Sequence, residues 1–109
     1  MKKEEIDQTL MQIEKLATKL WQQKDIYDEI PKMNDILGEI YKELINKVKQ
    51  YGITEIKIDD LVQQLRDLKH GMENEDTVLL ADTLNYKIYR TVELYKQIID
   101  IEEDESGNI

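Results

Sequence analysis

The chain has 109 residues, 40% hydrophobic and 36% charged, with four glycines, one proline and no cysteine. That length is enough for a core without metal or disulfide support, and the missing thiols exclude disulfides, thiolate catalysis and cysteine-ligated metals. Fifteen basic side chains against 24 acidic ones leave a formal charge of −9, which repels phosphate backbones and anionic lipid, so neither nucleic acid nor a membrane surface is an expected partner.

The opening Met1-Lys2-Lys3-Glu4-Glu5-Ile6 turns acidic and amphipathic at once and has no apolar region of the signal-peptide kind. No apolar run approaches the ~20 residues of a membrane span. A cytoplasmic, bacterial-type protein is expected. Residues 4–24 set Ile6, Leu10, Ile13, Ala17 and Leu20 at steps of four and three, the stripe of an amphipathic helix. Leu16 and Trp21 widen it. Asp25 then reads as a cap for a second helix over 28–51, whose stripe runs from Tyr27 through Ile30, Met33, Leu37, Ile40, Leu44 and Val48 to Tyr51. Pro31 is tolerated in a first turn, where the N–H groups have no intrahelical partner. Gly52 is a natural stop.

Residues 53–58, Ile-Thr-Glu-Ile-Lys-Ile, alternate like a strand, but one short strand has nothing to pair with. They are predicted to be a connector whose isoleucines plug the end of the core. Asp59 is expected to cap a third helix over 59–73, with Leu61, Val62, Leu65, Leu68 and Met72 on one face. Asp76 or Thr77 opens a fourth over 76–101, through Leu80, Ala81, Leu84, Ile88, Val92, Tyr95 and Ile99. The acidic stretch 102–109 should fray beyond a single domain at 1–101. Laying Asp25 on Asp76 aligns the stripes of the second and fourth helices, as two hairpins of one design would. Four stripes on short connections predict an all-α, antiparallel four-helix bundle built of two helical hairpins.

Catalytic constellations start in this sequence and are not completed. Asp67 and His70 have the carboxylate–histidine spacing of a di-iron helix, but His70 is the only histidine and such a site needs the pair twice. Arg66 and His70 stand too close together for the Arg–His motif of HEPN-type ribonucleases. No magnesium box of the helical pyrophosphohydrolase kind is complete, and Asp104-x-Ser106-x-Asn108 begins a calcium loop that lacks its closing glutamate. Acyl transfer has no machinery here. No catalytic residue, cofactor or metal ligand is therefore assigned.

The aromatics remain. Six tyrosines fall on the second and fourth helices, and Trp21 ends the first. Aromatics on rigid helices make good binding anchors because they have few rotors to freeze. Trp21, Tyr86, Tyr89 and Tyr95 are the expected contact residues for a partner.

Residues 76–88, Asp-Thr-Val-Leu-Leu-Ala-Asp-Thr-Leu-Asn-Tyr-Lys-Ile, resemble a stretch of a small uncharacterised helical domain of Firmicutes, with Asn85 and Lys87 where that pattern has glutamates. The resemblance implies a helical fold and no assigned activity. A looser likeness of layout, to flagellar export chaperones, implies an apolar surface that holds a helix-forming substrate. The expected function is a non-enzymatic protein-interaction module that binds a second copy of itself, as a homodimer, or a helical segment of another chain. The rival reading is a carboxylate–metal hydrolase using magnesium or manganese, which requires acids such as Glu39, Glu43 and Asp82 to converge.

Overall fold

The computed structural model describes residues 2–22 and 28–107. It contains four helices and, among the described residues, no strand. Helix α1 spans Lys3–Trp21, α2 Ile30–Tyr51 and α3 Ile58–Glu73. The fourth, α4, runs over 77–107 in three consecutive segments: α-helical Thr77–Asp82, π-helical Thr83–Ile88 and α-helical Tyr89–Gly107.

Polar contacts along the axes give the topology. Lys3 meets Asp100 at 2.8 Å and Asp7 meets Lys96 at 2.6 Å, so four residues forward on α1 match four back on α4. Helices α3 and α4 are likewise antiparallel, through Gln64 with Thr91 and Asp67 with Lys87. Helices α2 and α4 run parallel, since Glu43 accepts from Tyr95 and Lys47 reaches Glu102 one to two turns further on. The result is the expected antiparallel four-helix bundle, elongated to 50 × 27 × 19 Å.

The predicted stripes form the core except at Trp21 and Tyr51, which are about half exposed at the ends of α1 and α2. Ile6, Ile13, Leu37, Ile40, Leu44, Leu68, Leu80, Leu84 and Ile88 are wholly buried. Each such side chain contributes roughly 1.5–3 kcal/mol by leaving water. At the end of α2, Gly52 adopts the left-handed conformation at φ 63°, and the Ile53 N–H donates to the Val48 carbonyl at 3.0 Å, closing a Schellman motif. The connector is made of bends, and its Ile53 and Ile56, with Ile58 at the first position of α3, pack half-buried on the core, as the sequence led us to expect. No helix among the described residues is long and apolar enough to cross a membrane.

Several boundaries differ from expectation. Helix α2 starts at Ile30, two residues late, with Pro31 inside its first turn. Lys57 takes the N-cap position of α3, so Asp59 lies in the first turn, where its charge faces the positive end of the helix dipole. Asp76 does cap α4, its carboxylate accepting from the Leu79 N–H at 3.1 Å. Helix α1 ends at Trp21, three residues before its expected end at 24; the cap at Asp25 and the stripe position Tyr27 lie outside the described residues, as do residues 108 and 109.

Helix α4 continues six residues past its expected end at 101. Acids at a helix C-terminus oppose the dipole, and here cations on other helices offset that. Lys47 holds Glu102 at 2.7 Å with the Tyr51 hydroxyl donating beside it, and Lys3 holds Glu103 at 2.9 Å.

The π segment answers a mismatch in the stripe. Leu80, Leu84, Ile88 and Val92 are all buried at successive steps of four. At about 100° per residue, each such step would drift about 40° around a regular α-helix. Wider i→i+5 turns hold more residues per revolution and keep the four on one side. Near this segment α3 and α4 are in close contact, because Gly71 is buried with no side chain between its backbone and Leu80.

Candidate functional site

Each expected contact residue has a definite place. Trp21, the last residue of α1, is 52% exposed, and Tyr86, in the π segment, is 63% exposed. Neither contributes to the core. Tyr89 is half-buried, with its ring against the core edge. Tyr95 is wholly buried and cannot meet a partner, which corrects its assignment as a contact. Position 95 lies on the α4 stripe facing α2, where the Glu43 carboxylate accepts its hydroxyl hydrogen. Burial, with Glu43 beside it, pushes the Tyr95 phenol well above its ordinary range.

A concavity of about 500 Å³ lies between α1 and α4. Leu10 and Met11 of α1 and Tyr89 of α4 supply its apolar part. Met11 is 57% exposed and Leu10 only 8%, so the floor belongs to the core while the thioether projects outward. Asp7 and Glu14 line one wall, Glu93 and Asp100 the other. The Glu14 carboxylate beside Tyr89 is the main cause raising the pKa of its phenol. Lys96 bonds to Asp7 at 2.6 Å across the groove, which raises the lysine pKa. The walls are thus pinned by side chains from opposite helices.

A further hydrogen-bond group sits within the bundle. Gln64 Oε1 accepts from the Tyr41 hydroxyl at 2.6 Å and from the Thr91 hydroxyl at 2.8 Å, joining α2, α3 and α4. Burial raises the Tyr41 pKa above its ordinary value. Beside the end of α2, Tyr51, Ile53, Ile98, Ile101 and Glu102 line a smaller, open, mostly apolar pocket of about 240 Å³.

The acids named for a metal site are not brought together. Glu39 is exposed and Glu43 is engaged by Tyr95. Among the described residues, no three Asp, Glu or His side chains are grouped as a metal ion would require. His70 and Arg66 are both exposed on α3, and the His70 carbonyl accepts from the Asn74 side chain at 2.9 Å.

The groove was not legible in advance. Met11 lies on the polar side of the α1 stripe and reads as an incidental surface apolar residue until α4 is set beside it. The available signal was that Asp7, Met11 and Glu14 recur at helical spacing, on one strip of helix.

No curated protein and no solved structure matches the chain. A family match runs over residues 24–98, which takes in α2, α3, the connector between them, the π segment and most of the remainder of α4, and leaves α1 outside. The stretch from Asp76 to Ile88 lies within it. The chain belongs to the family described as a domain of unknown function, DUF8042.

Proposed function

We propose that this bundle is a non-enzymatic protein-interaction module that holds a helical segment of a partner protein. The observation that carries this reading is the exposure of Trp21 and Tyr86, at 52% and 63%, on otherwise well-packed helices. Tyrosine and tryptophan anchors commonly dominate binding energy, and rigid helices hold them in place before the partner arrives. A partner helix would supply apolar residues at i, i+3, i+4 and i+7 to meet them. A second copy of the chain is an alternative occupant, and an export chaperone is a narrower form of the same reading, marked by capture of an unfolded helix-forming substrate. The charge of −9 favours a basic or neutral partner.

The test is affinity capture from native lysate together with the mass of the protein in solution. A protein retained by the native chain and lost with Tyr86→Ala supports the reading; truncating a central anchor typically costs 2 kcal/mol or more, roughly 30-fold in Kd. A strict monomer whose captured proteins are unchanged by Trp21→Ala and Tyr86→Ala sinks it.

A further inference from the structure

We infer that the α1/α4 groove receives a basic amphipathic helix of another protein. This rests on the interaction reading above and adds a surface lined by neither Trp21 nor Tyr86, with the chemistry of its occupant. Among the described residues that line the groove, Asp7, Glu14, Glu93 and Asp100 bring carboxylates to both walls, while Lys96 brings one ammonium. Asp7 is paired with Lys96 and Asp100 with Lys3 at the groove's edge, so Glu14 and Glu93, one on each wall, carry the lining's uncompensated negative charge. Its apolar part is bracketed by these acids on either side, which is the inverse of a helix with an apolar stripe flanked by lysines or arginines.

An elongated cleft between two antiparallel helices suits a third helix, because side-chain ridges of one helix seat between those of its neighbours. Met11, half-exposed and unbranched, adapts to differing apolar side chains at little cost. The groove is also selective by charge. An acidic helix, an anionic lipid head or a nucleic acid would bring like charge against both walls, and like-charge juxtaposition strongly disfavours wrong partners.

The existing ion pairs are compatible with exchange. Lys96 and Asp7 form a pair that is 34% and 52% exposed, and pairs of that exposure are weak. An incoming cation can share Asp7 without unfolding anything. Glu93 is exposed on the opposite wall and presents its charge directly to an occupant.

The experiment titrates the isotope-labelled full chain with two synthetic helices of about 18 residues, identical in their leucine stripe, one flanked by lysines and the other by glutamates. The lysine helix is expected to shift the amides of Leu10, Met11, Tyr89 and Glu93 and to bind more weakly as salt rises. Glu93→Lys should weaken it about tenfold. Glu55→Lys, in the connector, makes the same change in net charge and should alter affinity less than twofold. Melting curves show whether both variants remain folded. Equal losses from Glu93→Lys and Glu55→Lys, shifts confined to other faces, or equal binding of the glutamate helix each overturn the groove. The interaction reading is decided separately by Tyr86→Ala: captured proteins lost in that variant keep it standing even if the groove fails.

Discussion

Gly71 of α3 and Leu80 of α4 pack so closely that a methyl group on Gly71 would stand 2.8 Å from Leu80 Cγ and 2.9 Å from its Cδ2. Leu80 is wholly buried, and its Cγ cannot swing away as a chain end would. Gly71→Ala gains roughly 0.5–1 kcal/mol of helix propensity but forces overpacking that costs about 1–3 kcal/mol. The expected result is a net loss of about 1 kcal/mol, read as a lower urea midpoint with unchanged slope. A more stable Gly71→Ala protein would show that the two helices separate easily.

The buried threonines should respond in opposite directions. Thr9 donates to the Glu5 carbonyl at 2.8 Å, and Thr91 reaches the Lys87 carbonyl and Gln64. Thr83 opens the π segment, and its buried hydroxyl has no partner among the described residues. Thr83→Val keeps the shape and removes an unsatisfied group, so stability should rise by about 1 kcal/mol. Thr91→Val leaves Tyr41 and Gln64 with a broken network and should cost about 1–2 kcal/mol. Chemical denaturation of the pair measures both, and the prediction fails if the two signs agree.

Deleting the exposed Asn85 should turn the π segment into an ordinary α-helix. The deletion would change the step from Leu84 to Ile88 from four to three, giving a stripe that a 3.6-residue period follows without drift. The shortened chain is expected to fold with a cooperative melt, retaining the stripe on both sides of the deletion. A non-cooperative melt would show that the wide turn is required for the helix to reach its contacts at the far end.

High pH should unfold the protein through two buried phenols. Tyr41 is 1% exposed and Tyr95 wholly buried, and burial raises both pKa values above the ordinary 10.0. The unfolded chain releases these protons near pH 10 while the folded chain retains them, so stability is intact below about 10 and falls above it. Tyrosinate absorbance for these two residues should therefore appear together with loss of helical circular dichroism, and Tyr95→Phe should reduce the alkaline slope. Ionisation of all tyrosines with the helices intact would contradict their burial.

The four stripes, the glycine stop at Gly52, the cap at Asp76 and the plugging isoleucines were legible in the amino-acid sequence. They follow from local chemistry: helical periodicity, the conformational freedom of glycine and the reach of a short carboxylate. The steps of four from Leu80 to Val92 also held the sign of a wide turn. That sign becomes clear once all four are known to be buried together.

The sequence did not separate the tyrosines, because a phenol suits both a core edge and a surface. Tyr95 lies on the buried stripe with its hydroxyl donating to Glu43 of α2, and Tyr86 is exposed two residues from both Leu84 and Ile88, on the face opposite that stripe. The groove depends on the same long-range information, since its two walls come from the first and last helices and align through pairs such as Asp7 with Lys96, 89 residues apart. Periodicity along a chain thus determined which face of each helix leaves water. Which side chains then met, and which were left for a partner, was decided by the packing of α1 and α2 onto α4.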